Sequence, residues 1–194
     1  MLIGIDFDNT IVSYDKVMYE YALSKNLIDK NTIPKKQFIR DKIRDLFDGE
    51  LLWQKMQAEV YGKLIQFADP VPGVIKFMKH CQDEQVQMII VSHKTEYAKQ
   101  DKSCNLHDAA KKWIRTNIQS AGISIEVYFE NTRTDKINRI KKLSCTHFID
   151  DLELVFTDSL FPKINRFLLN ECPSTYVNSY MDWEMIEREI FAYA

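Results

Sequence analysis

Two aspartates, Asp6 and Asp8, stand one residue apart at the end of a short apolar run near the start of the chain. Residues two apart on an extended chain point to the same side, so both carboxylates start on one side with Phe7 opposite. Two unit charges about 4 Å apart repel by about 4 kcal/mol at an effective dielectric of about 20. The pair therefore predicts a positive charge beside it.

A second acidic pair, Asp150 and Asp151, follows another short apolar run. If both runs are parallel strands, their carboxyl ends meet at one edge of the sheet, which is where such sheets bind ligands. Four aspartates without clustered cysteines or histidines form an all-oxygen site, and such a site suits Mg²⁺. We therefore predict a Mg²⁺ cofactor at this edge.

An aspartate beside such a cation can attack phosphorus and form an aspartyl-phosphate, and a second aspartate can protonate the leaving oxygen and later activate water. Ser92, at the end of a third apolar run, can donate a hydrogen bond to a phosphate oxygen. Lys136 adds a fixed positive charge, with Lys94 and Arg133 as alternatives for that role.

This chemistry requires the tips of two strands to meet. Asp150 must lie close to Asp6. A large separation between them, or a buried basic side chain where the ion should sit, would contradict the catalytic prediction.

Apolar runs that alternate with segments of helical periodicity must position these residues. Such alternation predicts right-handed crossovers and a mainly parallel sheet with helices on both faces, which is a three-layer Rossmann-like α/β fold. The predicted strands are residues 2–5, 86–91, 125–129, 146–149 and 166–169.

The segment after the first strand is helical for about fifty residues. A second helix there is predicted to bury Phe47 on its apolar face and to end at Gly49. The prolines and glycine of residues 69–73 indicate the return to the core. We expect a core of residues 1–14 and 69–194 and a small helical cap, residues 15–68, that closes over the end of the first strand.

Charge and composition give no support to several classes of partner. The net charge is −2, with both signs mixed along the chain, so neither nucleic acid nor a membrane surface is an expected partner. The four cysteines form no CxxC pair and resemble the reduced cysteines of a cytosolic protein. No apolar run reaches membrane-spanning length. We expect a soluble, cytoplasmic protein of undetermined oligomeric state.

Four segments in order resemble a known family. The sequence Asp6-Phe7-Asp8-Asn9-Thr10 after an apolar strand resembles motif I of the haloacid dehalogenase-like (HAD) superfamily. The strand that ends at Ser92 is similar to motif II, Lys136 to motif III, and Asp150-Asp151 to motif IV. The resemblance covers the core, and the helical insertion is similar in position and type to a C1 cap.

The resemblance implies a role for each of these residues. Asp6 would be nucleophile and metal ligand, and Asp8 the general acid/base whose backbone carbonyl also binds the metal. Asp150 would bind the metal, with Asp151 binding it directly or through water. Ser92 and Lys136 would be phosphate ligands, and Thr10 would support the motif I loop. We also expect Thr10 and His93 beside the phosphate site, His93 because it follows Ser92 at the end of the strand.

The second aspartate selects the chemistry, because members of the superfamily that cleave carbon-halogen bonds lack it. We therefore predict a Mg²⁺-dependent phosphatase that acts on a small phosphorylated metabolite. The alternatives are a nucleotidase or nucleic-acid-end phosphatase, and a non-catalytic phospholigand-binding or scaffold protein that keeps the HAD fold.

Overall fold

The computed structural model describes residues 1–192. Its strands are β1 (Leu2–Ile5), β2 (Val12–Ser13), β3 (Asp69–Pro70), β4 (Gln87–His93), β5 (Glu126–Glu130), β6 (His147–Asp150), β7 (Asn165–Leu169) and β8 (Ser179–Tyr180). Its helices are α1 (Asp15–Ser24), α2 (Lys36–Arg44), α3 (Gly49–Tyr61), α4 (Val74–Asp83), α5 (Leu106–Asn117), α6 (Arg133–Lys142), α7 (Glu153–Phe156) and α8 (Trp183–Phe191).

Six strands form one parallel sheet in the order β5-β4-β1-β6-β7-β8, and β2 and β3 form a second, two-stranded sheet. The five strands predicted from the sequence are all present in the larger sheet. The edge strand β8 is not predicted, because two residues are too short for any periodicity to show. The predicted Rossmann-like α/β fold is confirmed.

The strand order reverses next to β1. The chain runs from β1 to β4 and then outward to β5, and it returns to β6 on the other side of β1. In open parallel sheets, ligands bind outside the carboxyl ends of the strands at such a reversal. Ile5 pairs with Ile149 in the β1–β6 register, so the ends of these two strands lie side by side.

Each face of the sheet carries its own apolar layer. On one face, Ile137 and Ile140 of α6 join a buried cluster with Phe148 of β6 and Phe156 of α7. Ile90 is fully buried and alternates with members of that cluster along β4, so it points to the other face. There α4 packs against β4 and α8 packs against α4.

The chain divides into two compact units. The first consists of residues 1–12, 70–94 and the described residues from 117 onward, and it contains the parallel sheet. The second consists of residues 13–69 and 95–116, with α1, α2, α3 and most of α5. From the sequence we expect residues 95–116 to belong to the core, whereas the structure groups them with the second, helical unit. The predicted division into a core and a cap of residues 15–68 stays a prediction.

Two predictions about α2 are wrong. The helix ends at Arg44, and Gly49 is the first residue of α3. A Cβ at Gly49 would lie 2.3 Å from the Ile43 carbonyl oxygen and 2.5 Å from that of Arg44, so the chain turns too tightly there for any other residue. Phe47 lies in the turn and is 91% exposed.

Among the described residues, no helix has both the length and the apolar character needed to cross a membrane.

Candidate active site

The ends of β1 and β6 present their carboxylates on the face that α6 covers. A Cβ built at Gly4 would lie 2.5 Å from the Phe148 ring. Side chains at position 4 of β1 and position 148 of β6 therefore lie on this same face. Asp6 and Asp150 follow them by two positions and therefore point the same way. The Asp6 amide donates to the Ile149 carbonyl at 2.9 Å, which extends the ladder to Asp6 itself. Asp6 and Asp150 are 5% and 1% exposed.

Helix α6 brings Lys136 to both carboxylates. Thr132 caps this helix by accepting from the Asp135 amide at 3.0 Å, and the apolar side of the helix packs into the core. Lys136 lies in the first turn and is 2% exposed. Its Nζ donates to Asp6 Oδ1 and to Asp150 Oδ2, at 2.5 Å each. The ammonium thus joins the two strand ends.

Burial and the neighbouring charges shift the pKa values of Lys136 and Asp150. Burial alone would lower the pKa of Lys136, but the charges of Asp150 and Asp6 outweigh it and raise the pKa above its usual range. Burial raises the pKa of Asp150, Lys136 opposes that shift, and the charge of Asp6 adds to it. The lysine is therefore charged, and it stabilises the ionised form of a carboxyl that burial disfavours.

Together with Asp6 and Asp150, Asp151 forms a group of three acids spaced closely enough to hold a metal ion. Asp6, Asp150 and Asp151 each offer one carboxylate oxygen, and these oxygens lie within 4.8 Å of one another. A carboxylate has two oxygens with about four acceptor positions, so Asp6 and Asp150 can bind both Lys136 and a cation. Three carboxylates beside one ammonium leave an excess of negative charge. The donor set fits Mg²⁺.

A buried basic side chain in the ion's place would contradict the catalytic prediction, and Lys136 does lie between two of the three acids. It contacts Oδ1 of Asp6 and Oδ2 of Asp150, while the other Asp150 oxygen accepts from the Leu152 amide at 2.9 Å. The other requirement is met, because Asp6 and Asp150 contact the same ammonium. One oxygen of each of the three acids still lies within 4.8 Å of the others beside this ammonium, and binding of a cation there stays a prediction.

Asp8 has a different lysine as its partner. Lys94 Nζ donates to both Asp8 oxygens, at 2.8 and 2.9 Å, and the two side chains are 2% and 20% exposed. The positive charge expected beside the first acidic pair is thus divided between Lys136 at Asp6 and Lys94 at Asp8. The Asp8 carboxylate lies outside the three-acid set found among residues 1–192. Metal binding by its backbone carbonyl stays a prediction.

Thr10 connects the motif I loop to the second acidic pair. Its hydroxyl accepts from the Asp151 amide at 3.1 Å and lies 3.5 Å from Asp151 Oδ1. The loop turns at Asn9, whose φ is 61°. This contact connects the motif I loop to Asp151, and both roles expected of Thr10, support of the loop and contact with phosphate, stay predictions. Asp151 does not cap the following helix, since α7 has Leu152 at its N-cap.

Ser92 and His93 differ in how their polar atoms are used. The Ser92 hydroxyl is buried and has no hydrogen-bond partner within the described chain. Buried hydroxyls are nearly always paired, so this one has capacity for an oxygen of a ligand. His93 Nε2 lies 3.0 Å from the Asn131 carbonyl oxygen, to which it donates. Of the two predicted phosphate contacts on β4, only Ser92 has a buried polar group without a hydrogen-bond partner in the described chain.

One contact to the loop is not foreseen from the sequence. Trp183, the first residue of α8, is fully buried, and its Nε1 donates to the Thr10 carbonyl at 3.1 Å. The two residues are 173 positions apart, so no local pattern could indicate the pair. The closing helix therefore holds the loop that carries Asp8.

Neither a family model nor a curated protein sequence matches this chain. Among the similar solved structures is a HAD-superfamily hydrolase, subfamily IA, variant 1, from Geobacter sulfurreducens PCA, with a TM-score of 0.59 at 10% identity over 98% of this chain and 94% of that one. A provisionally assigned phosphoglycolate phosphatase from Lactobacillus delbrueckii subsp. bulgaricus gives 0.51 at 12% identity over 97% of each chain.

A structure described as a dehalogenase gives a TM-score of 0.55 at 9% identity, over 100% of this chain and 97% of that one. Identities this low establish the fold and leave the reaction to be argued from the site. The chain has the fold of the haloacid dehalogenase-like (HAD) superfamily.

Proposed function

We propose that this protein is a Mg²⁺-dependent phosphatase that hydrolyses a small phosphorylated metabolite through an aspartyl-phosphate on Asp6. The observation that carries the proposal is the cluster of Asp6, Asp150 and Asp151, of which Asp6 and Asp150 contact the buried ammonium of Lys136. An all-oxygen set of this kind attracts a hard cation, and that cation offsets the repulsion between the acids and a phosphate dianion.

The reaction uses groups of this chain in two steps. A carboxylate oxygen of Asp6 attacks phosphorus, the ester P–O bond breaks, and the leaving oxygen takes a proton from Asp8. Water then attacks the phosphorus of the aspartyl-phosphate, the bond between phosphorus and the Asp6 oxygen breaks, and Asp8 takes a proton from that water. Inorganic phosphate leaves, and both aspartates return to their starting states.

Two further groups are suited to the transferring phosphoryl group. Lys136 supplies a fixed positive charge next to the attacking carboxylate, and the unpaired Ser92 hydroxyl can donate to a phosphate oxygen. When bound, Mg²⁺ would be held by Asp6, Asp150 and Asp151 and would neutralise charge on the phosphoryl oxygens.

Asp8 supports a phosphatase over a dehalogenase. The HAD fold serves both reactions, so the fold does not decide between them. Displacing a halide needs no proton for the leaving group, whereas an alkoxide leaving group does. A partly exposed acid in the motif I loop, held by Lys94, supports cleavage of a phosphate ester.

The test is hydrolysis of 4-nitrophenyl phosphate and of a panel of phosphorylated metabolites by the purified protein, with Mg²⁺ and with EDTA. We expect activity that requires the metal and that Asp6→Asn abolishes. Asp83→Asn, the same change at an exposed residue of α4, is the matched control and should keep full activity.

Two results would contradict the proposal. Activity that survives in Asp6→Asn would remove the nucleophile from its role. Phosphate binding by the wild type without turnover of any panel member would favour the non-catalytic phospholigand-binding protein.

A further inference from the structure

We propose that Lys94 is a positioning residue for the general acid/base: it holds the Asp8 carboxylate in the orientation needed for proton transfer. This inference rests on the proposed phosphatase function. It adds a role for a residue that the motif assignments leave without one, because Lys136 already supplies the charge at Asp6 and Asp150.

The backbone of Lys94 is held by the sheet. Residue 94 follows β4 directly, and its amide donates to the Glu130 carbonyl at 2.8 Å, which continues the β4–β5 ladder by one residue. A lysine side chain has four rotatable bonds and is usually mobile in solvent. Here the side chain is 2% exposed, and its Nζ lies 5.5 Å from the centre of the Phe7 ring.

The contact with Lys94 reaches both oxygens of the Asp8 carboxylate. Nζ lies 2.8 Å from Oδ1 and 2.9 Å from Oδ2, so the ammonium is nearly symmetric between the two oxygens. Charge-assisted hydrogen bonds are stronger than neutral ones, and turning the carboxyl group away from Nζ would break both of them. The Asp8 side chain is 20% exposed, so part of it remains accessible to a substrate or to water.

Positioning of this kind predicts a dependence on the leaving group. The general acid matters most for an alkyl phosphate, whose alkoxide leaves poorly, and least for 4-nitrophenyl phosphate, whose phenolate leaves without a proton. A residue that acts through Asp8 should therefore share the leaving-group dependence of Asp8. A residue that only supports the fold should lower both rates alike.

The test compares kcat/KM for 4-nitrophenyl phosphate and for an alkyl phosphate in the wild type, Asp8→Asn and Lys94→Met. We expect the aryl-to-alkyl ratio to rise about tenfold or more in both variants, because misplacing a catalytic group can cost about 100-fold in rate. Lys94→Arg, which keeps a cation, should recover part of the alkyl activity. Lys76→Met removes an exposed lysine that also pairs with an acid, and it should leave the ratio unchanged.

The outcomes separate this inference from the proposed function. A raised ratio in Asp8→Asn with an unchanged ratio in Lys94→Met overturns the role of Lys94 and leaves the phosphatase standing. Absence of hydrolysis by the wild type overturns both. If Lys94→Met does not fold, Lys94→Gln, which keeps a donor but no charge, replaces it in the same comparison, and an unchanged ratio there overturns the inference as well.

Discussion

Two buried lysines divide the negative charge at the strand ends between them. Lys136 contacts Asp6 and Asp150, and Lys94 contacts Asp8. A buried charge is costly unless it is paired, so each lysine makes the burial of its acids possible. The acids in turn keep the pKa of Lys136 above its usual range.

Replacing Lys136 with methionine should therefore destabilise the protein strongly. The change leaves two buried carboxylates without their cation, and loss of one partner from a buried pair costs about 3–5 kcal/mol. Urea denaturation measures the change. Mg²⁺ should recover part of the loss, because a second cation then faces the same acids.

Lys141→Met is the matched control, since it makes the same substitution at an exposed position of the same helix. It should change the free energy of unfolding by less than about 0.5 kcal/mol. Equal stability of Lys136→Met and the wild type would mean that the lysine does not balance the acids.

Thr10→Val tests the connection between the motif I loop and Asp151. The substitution keeps the shape but removes the buried hydroxyl that accepts from the partly buried Asp151 amide at 3.1 Å. An unpaired donor costs about 1–3 kcal/mol when it is buried, so thermal or urea unfolding should show a loss toward the lower end of that range. Thr10→Ser keeps the hydroxyl and should remain within about 1 kcal/mol of the wild type. Similar losses of stability in Thr10→Val and Thr10→Ser would mean that changed packing, and not the lost hydrogen bond, causes them.

At the scale of elements, four elements of the chain build one site. β1 and β6 present acids on one face, α6 supplies the cation, and α8 holds the loop from behind through Trp183 and the Thr10 carbonyl. Trp183 also packs against Phe77 of α4, with ring centres 4.8 Å apart, and against Gly73, where φ is 91° and a Cβ would lie 3.0 Å away.

Trp183→Phe should loosen α8 from the loop. Phenylalanine keeps the ring packing but has no N–H for the Thr10 carbonyl, so we expect a loss of about 1–3 kcal/mol in the free energy of unfolding. Hydrogen exchange should also speed up at the amides around residue 10. Trp53→Phe, the same change at a buried tryptophan of α3, is the control for lost ring area and should leave exchange near residue 10 unchanged.

At the scale of the whole molecule, the four cysteines differ in how deeply they are buried. All four are free thiols; Cys81 and Cys145 are buried, Cys104 is partly buried and Cys172 is exposed. Burial raises the pKa of Cys81 to about 12, with the charge of Glu187 adding to it, and burial raises the pKa of Cys145 to about 11. Only the thiolate reacts with alkylating agents, so these two thiols should be inert near neutral pH.

Iodoacetamide at pH 8 followed by peptide mass spectrometry tests this division. Cys172 should be alkylated in the folded protein, and Cys81 and Cys145 only after denaturation in urea. Alkylation of Cys81 in the folded state at the rate of Cys172 would contradict the burial of α4 against the sheet.

The amino-acid sequence alone determined the fold class and the candidate acids. Alternating apolar runs and helical periods require a covered parallel sheet, and Asp6, Asp8, Asp150 and Asp151 stand at the ends of such runs, because these patterns are local. Local patterns also misplaced the end of α2, where a glycine that is usual after a helix begins the next one.

Only the tertiary structure decided which charges meet. The sequence leaves Lys136, Lys94 and Arg133 as rivals for one role, whereas the fold gives Lys136 and Lys94 separate acids. The contact of Trp183 with Thr10 joins residues 173 positions apart and has no local signature. Pairing across such distances depends on strand order and on which face each helix covers, and packing of the whole chain sets both.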